Sequence, residues 1–188
     1  MKVRAVKSPW EWYRIKRLYK RAFPIYERKP FPIIRRMNKA GATDVWVIEE
    51  DGAFSGFALT MNESDLVLLD YFAISDKKRG GGLGGKALQT LRDIYSDRRF
   101  FLEIESVYME ADNLEERLRR KHFYLKNGMT EMKVMAQVWG TEMELLGYDC
   151  QVTFDDYYSV YQKNYDKNIG YGSWAPNRLV QVEYPSEK

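Results

Sequence analysis

Cysteine and histidine are almost missing from this chain: its 188 residues hold one of each, Cys150 and His122. A lone cysteine excludes an intrachain disulfide framework, and without a Cys/His cluster no metal is expected. Long apolar runs are lacking too. None approaches the ~20 residues that span a bilayer. The opening "MKVRAVKSPWEWYRIKRLYK" is charged throughout, with no continuous apolar core of a signal peptide. The expectation is a reduced, cytoplasmic protein with no membrane partner. Strong charge of one sign is also absent: 30 basic residues face 27 acidic ones, for a net charge of +3 and an isoelectric point near 8.8. A nucleic-acid partner would need a denser basic stripe. The richest basic run, "ERLRRKH" from Glu116 to His122, falls in a helical segment and reads as its solvated face rather than a site for an anionic partner.

What is present is an ordinary globular composition, 45% hydrophobic and 30% charged, at a length that suits one domain over 1–188. "VRAVK" alternates as a short strand. Ser8-Pro9 opens a helix on which Trp10, Tyr13, Leu18 and Phe23 supply apolar surface. "PFPIIRRMNKAG" reads as a second helix, closed by Gly41. "TDVWVIEEDGAFSGFALTM" is a hairpin turning at Asp51-Gly52. "LVLLDYFAI", Leu66 to Ile74, is more continuously apolar, as a strand covered on both faces should be. An amphipathic helix follows, with Leu83, Ala87, Leu88, Leu91 and Ile94 at three- and four-residue spacing. The next strand, "RRFFLEIESV", completes a right-handed parallel βαβ unit. "NLEERLRRKHFYLKNG" is a helix from Asn113 to Gly128, two strands turn near Gly140, and "TFDDYYSVYQKNY" is a Thr-capped helix. The segment from Gly170 to Lys188 is a tail of undetermined structure. The fold class is α/β: a mixed, mostly antiparallel sheet with a central parallel pair and helices on both faces.

Between the long apolar strand and its helix stands "KKRGGGLGGKAL", which satisfies three phosphate-binding patterns at once. Gly80, Gly82 and Gly85 spell G-x-G-x-x-G. Gly80, Gly85 and Lys86 spell G-x-x-x-x-G-K. Arg79, Gly82 and Gly84 spell R-x-x-G-x-G, a coenzyme A loop. The second fails at Ala87, which offers magnesium no hydroxyl. The first keeps an acidic residue about 20 positions downstream, Glu103 or Glu105, but only one parallel crossover is visible. A plain tight turn needs one or two glycines, whereas five of the six residues from Gly80 to Gly85 are glycine. Each costs on the order of 0.5–1 kcal/mol of backbone entropy against alanine. Backbone amides at a helix start, beside Lys77, Lys78 and Arg79, point to a bound phosphate or diphosphate.

The flanking residues carry a resemblance. "LLDYFAISDKKRGGGLGGKAL", "FFLEIE" and "HFYLKNGM" together resemble the fourth strand, pyrophosphate loop, third helix, fifth strand and F-Y-x-x-x-G-F signature of the GNAT family of N-acetyltransferases. Met129 replaces the final Phe, and the match is strongest over 45–135. The resemblance implies acetyl-CoA as donor and a splayed fourth and fifth strand. Pantetheine would pair with Phe72, Ala73 and Ile74, and the diphosphate would rest on Arg79, Gly80, Gly81, Gly82, Leu83 and Gly84. It also implies Tyr124 as the acid that protonates the leaving thiolate and Glu103 as a base. Asp70 and Glu105 are further carboxylates for a base or for a cationic substrate. Many relatives place a cofactor-binding asparagine seven residues before this tyrosine. Here that position is Arg117, and Asn113 lies about one helical turn further back, either against coenzyme A or as an N-cap.

The expected reaction is direct acetyl transfer to a primary amine, small molecule or peptide, in a ternary complex. A backbone N–H near Ala73 would receive the oxyanion. Trp10, Tyr13, Phe31, Trp139 and Tyr148 are candidates for an acceptor pocket or for core. A homodimer through the antiparallel strands near the C-terminus is a further expectation. Two readings remain beside this one: a non-catalytic acyl-CoA-binding module, and a nicotinamide-dinucleotide oxidoreductase with Glu103 on ribose hydroxyls.

Overall fold

A computed structural model describes residues 1–165 and 179–185 of the chain. Ser8 caps the first helix, α1 (Pro9–Ala22), as its place before Pro9 predicts. Its hydroxyl accepts from the Glu11 amide, and the Glu11 carboxylate accepts from the Ser8 amide, satisfying two donors that a helix start orphans. The buried face of α1 is Ile15, Leu18 and Tyr19. Trp10 and Tyr13 instead stand 65% and 48% exposed and stack on one another. Phe23 lies just past the helix, packed beside Tyr19 and Tyr71.

The other elements are β1 (Lys2–Ala5), α2 (Phe31–Lys39), β2 (Thr43–Glu50), β3 (Ala53–Glu63), β4 (Leu66–Ile74), α3 (Leu83–Ile94), β5 (Arg99–Glu105), α4 (Leu114–Lys126), β6 (Thr130–Val138), β7 (Thr141–Tyr148), α5 (Phe154–Asn164) and β8 (Leu179–Val182). The β2–β3 hairpin turns on Asp51 and Gly52, and the β6–β7 hairpin on Trp139 and Gly140. All four have positive φ, the conformation that twists a two-residue turn to match its strands. The strands form one sheet in the order β1-β2-β3-β4-β5-β7-β6-β8. Among the described residues only β4 and β5 pair in parallel. A dinucleotide-binding half needs three parallel strands, so this topology does not support that reading. The tail holds a strand that the sequence reading leaves out: β8 pairs antiparallel with β6. Residues 170–178 and 186–188 of that tail lie outside the described residues. Among the described residues both β6 and β7 have a strand on each side, and β8 ends the sheet next to β6.

Alternation along the central strands sends side chains to two cores. Leu66 and Leu68 of β4 and Phe101 of β5 join α5 and Met37 of α2 on one face. Val67, Leu69, Phe100, Leu102 and Ile104 join α3 and Tyr124 of α4 on the other. A third cluster packs α1 against Val45, Phe57, Leu59 and Tyr71. The continuous apolar character of "LVLLDYFAI" therefore follows from burial on both faces.

One irregularity positions the site. The parallel ladder runs from Leu66↔Arg99 to Leu69↔Leu102 and stops, although β4 continues to Ile74 and β5 to Glu105. On the other side of β4, Thr60 pairs with Leu69 and Leu59 with Tyr71, so Asp70 is an extra, bulged residue. A bulge bends its strand. Here β4 turns away from β5 at Asp70, and a fork opens between them.

Candidate active site

The loop at the mouth of the fork is built by backbone conformation. Gly80 and Gly82 have φ of 87° and 75°, where side chains are strained, and Gly82 is the N-cap of α3 without a side-chain cap bond. A Cβ at Gly80, Gly81 or Gly82 would meet nothing within 4 Å, so their open side is free for a ligand. Gly84 and Gly85 differ. A Cβ at Gly84 would touch the Phe123 ring at 3.3 Å, and one at Gly85 would collide with Asn127 Oδ1. Those two glycines let α3 pack against the end of α4, so the glycine run divides between an open backbone at Gly80 to Gly82 and helix packing at Gly84 and Gly85. Arg79 turns its side chain away from the helix start: Nε donates to Ile74 O at 3.1 Å, and the guanidinium pairs with Asp76 at 3.1 Å.

The loop opens into a cavity of about 1050 Å³. It is lined by every residue expected above to bind coenzyme A, to act in catalysis or to hold a cationic substrate, except Gly81 and Asn113. Its β4 edge offers backbone groups by alternation. Ser75 N donates to Ser55 O at 2.8 Å, which fixes the Ser75 backbone toward β3 and, two residues back, that of Ala73. The groups of Phe72 and Ile74 then face the fork, as the Arg79 bond to Ile74 O attests. The amide available to a ligand is therefore that of Phe72 or Ile74, not that of Ala73.

Three carboxylates sit along the fork, each with different company. Asp70 is paired with Lys29, whose Nζ lies 2.5 and 2.6 Å from its two oxygens. Burial pushes the Asp70 carboxyl upward, while the Lys29 charge opposes the shift. Glu103 accepts hydrogen bonds from two hydroxyls of α5, Tyr157 and Tyr161, the latter at 2.6 Å. Burial, helped by the charge on Asp70, raises its pKa as well. Glu105, 3% exposed, is held by Arg117 at 2.9 Å and Arg120 at 3.2 Å. At the rim, Glu27 is pushed up to about 7 by burial and by Glu105.

Tyr124 reaches the cavity from α4 with 8% exposure. Among the described residues nothing hydrogen-bonds its hydroxyl, and burial pushes the phenol up to about 12. It is a protonated donor without a partner. Asn113 sits at the N-cap of α4, but its side chain does not cap the helix. Its oxygen accepts from Arg117 Nε at 2.8 Å, and its amide lies 3.4 Å from Glu105. Asn113 therefore takes the N-cap position expected of it, but its side chain is held by the Arg117–Glu105 pair instead of by the helix amides.

Of the aromatic candidates, Trp139 lines the cavity. Phe31 packs on Trp12 and Tyr19, and Tyr148 lies 3.9 Å beneath Arg92. The sequence reading missed Lys29, Glu27, Tyr157, Tyr161 and Tyr165. The four-residue spacing of Tyr157, Tyr161 and Tyr165 is the one signal that places them on a shared face. Among the described residues no group of His, Cys, Asp and Glu could hold a metal ion, and no helix is long and apolar enough to cross a membrane.

This geometry has relatives. In solved structures, the chain is similar to a GNAT-family protein from Bacteroides thetaiotaomicron at 20% identity and a TM-score of 0.73, over 90% of this chain and 99% of that one. It is similar to a chimeric spermidine N-acetyltransferase from Vibrio cholerae at 15% identity and 0.62, over 79% and 96%. It is also similar to an aminoglycoside 6′-N-acetyltransferase solved with coenzyme A, at 13% and 0.61, over 78% and 96%. At such identities the likeness speaks for the fold. No curated protein matches the chain in sequence. Residues 12–129, which include the fork, the glycine loop and Tyr124, match the acetyltransferase (GNAT) family. The chain belongs to the GNAT acetyltransferase family.

Proposed function

We propose that this chain moves the acetyl group of acetyl-CoA directly onto a primary amine bound in the same cavity. The fork carries the reading: the ladder ends at Leu69 and Leu102, and the opened side leads from the glycine loop to Tyr124 and the carboxylates. Amides from Arg79 to Gly84 receive the diphosphate at the start of α3, where the helix dipole favours negative charge. Phe72 and Ile74 offer their backbone groups to the pantetheine amides as an added strand would. Acetyl-CoA supplies the activated acyl group.

The chain's own residues then manage protons. An alkylammonium is no nucleophile until it loses one, and Glu103 is the base we assign, directly or through the Tyr161 hydroxyl that joins it to the cavity. The amide of Phe72 or Ile74 stabilises the oxyanion formed on attack. Tyr124 protonates the departing thiolate. Aromatic walls at Trp139, Tyr161 and Tyr165, with Glu27 and Glu105 nearby, suit a cationic acceptor. Spermidine and aminoglycosides, named for two similar structures, are such amines.

Release of free thiol from acetyl-CoA across a panel of small and peptide amines tests the proposal, with calorimetry against coenzyme A alongside. Turnover with at least one amine is expected. One observation favours a second reading, an acyl-CoA-binding module: Asp70 and Glu103 already have internal partners. Tight coenzyme A binding with no thiol release from any amine would select it.

A further inference from the structure

The loop between α1 and α2 places a lysine ammonium on the floor of the cavity. Lys29 Nζ stands on Asp70, with its side chain 9% exposed. The ring centroids of Tyr71, Tyr161 and Tyr165 lie 5.2, 5.5 and 5.4 Å from it. The backbone is pinned as well. Lys29 N donates to the Tyr71 hydroxyl at 3.2 Å, that hydroxyl donates to Glu27 O at 2.6 Å, and the Tyr19 hydroxyl donates to Lys29 O at 3.1 Å. Stability alone is a poor account of this pair. Desolvating two charges costs several kcal/mol per ion, and apolar replacements are often as stable.

Its position suggests chemistry. Asp70 is the bulged residue just past the last β4–β5 pair, so it marks the inner end of the fork. An extended ligand anchored at the glycine loop and lying between the strands has its far end there. The side chain waiting at that point is a primary amine held against a carboxylate.

Resting on the acetyl-CoA reading above, we infer that Lys29 is an intramolecular acceptor: the chain acetylates its own Lys29 Nζ. Asp70 takes the first proton from the ammonium. The nitrogen lone pair forms a C–N bond with the thioester carbonyl carbon, and the C–S pair leaves with sulfur. Tyr124 gives its proton to that thiolate and regains one from the nitrogen as the amide forms. The products are an acetylated lysine, free coenzyme A and one proton. Burial, which raises the Asp70 carboxyl, makes it a better proton acceptor than a surface carboxylate.

The test is to incubate the full chain with acetyl-CoA labelled with ¹³C in the acetyl group and follow every lysine peptide by mass spectrometry. A buried, ion-paired amine is the poorest target for spontaneous acetylation, so selectivity is diagnostic. Lys29 should be labelled ahead of exposed lysines such as Lys77, at a rate unchanged by tenfold dilution of the protein. Tyr124→Phe should slow that labelling at least tenfold while leaving Lys77 unaffected. An unlabelled Lys29, one slower than Lys77, or a rate that rises with protein concentration would overturn the inference in a chain that binds coenzyme A by calorimetry. Absence of coenzyme A binding would remove the proposed function and this inference together.

Discussion

Tyr124→Phe separates an enzyme from a binding module, because the hydroxyl has no structural duty. The residue is 8% exposed and its hydroxyl has no hydrogen-bond partner among the described residues. Deleting it breaks no internal bond, so stability should stay within about 0.5 kcal/mol. For a chain of this size that is a melting shift of roughly 2 °C or less. The chemical effect should be far larger. A positioned general acid contributes ~10²–10⁴-fold, equivalent to about 2.7–5.4 kcal/mol of barrier.

In the proposed mechanism that hydroxyl acts only as the C–S bond breaks, so the loss belongs to the transition state. Both kcat and kcat/KM should fall together, with KM and coenzyme A affinity unchanged. Because burial holds the phenol up to about 12, the wild type should keep its proton donor across pH 6–10 and show no alkaline loss from this group. Thiol-release kinetics at saturating amine, paired with calorimetry, provide the readout. A kcat within threefold of wild type at unchanged coenzyme A affinity would refute the assignment.

Three other substitutions probe the site and its frame. Gly81→Ala has an ordinary φ and open space, so thermal unfolding should show a gain of about 0.4–1 kcal/mol. Coenzyme A affinity should nevertheless fall roughly 10–150-fold by calorimetry if the added methyl group pushes the diphosphate off one charge-assisted hydrogen bond; equal affinity would mean that the diphosphate does not approach the open side of Gly81. Glu103 must be ionised to act as a base, and its pKa is raised, so activity should fall as pH drops through a value above the usual carboxylate range. Glu103→Gln should lower the plateau and remove that acid limb, and a persistent limb would assign it elsewhere. Lys121→Ala strands Glu144, 1% exposed and 2.6 Å from the ammonium. Urea unfolding should show a loss of about 3–5 kcal/mol, and a loss below about 1 kcal/mol would mean that water replaces the lysine.

Local signals reached the loop and the frame; they did not reach the acceptor side. The glycine run and the paired aromatics at Phe123 and Tyr124 sit within a few residues of what they shape. Asp70 is read from the sequence only as a carboxylate, and its place as the bulge shows only in the pairing of β4 with β3. By contrast, the lysine that neutralises Asp70 comes from 41 residues away, and the tyrosines on Glu103 come from 54 and 58. No local period encodes such meetings. Helical spacing misled at α1, where Trp10 and Tyr13 fit a plausible face but Ile15, Leu18 and Tyr19 form the buried one. The strand β8 was hidden because its pairing with β6 spans about forty residues and leaves Val180 and Gln181 exposed.

The two-residue period of a strand makes Glu103 and Glu105 equivalent, with Asp70 a third choice across the fork. Their neighbours break the tie. Glu105 is clamped between two guanidinium groups, so protonating it would dismantle the link between β5 and α4. Asp70 exchanges protons most readily with the lysine bound to it. Glu103 alone of the three is held by neutral hydroxyls, which can donate to a carboxylate or accept from a carboxylic acid. Its charge can therefore change without breaking an ion pair. Environments that pull like groups apart in this way are what assign acid and base roles, and here they favour Glu103 for an incoming amine and Asp70 for the chain's own lysine.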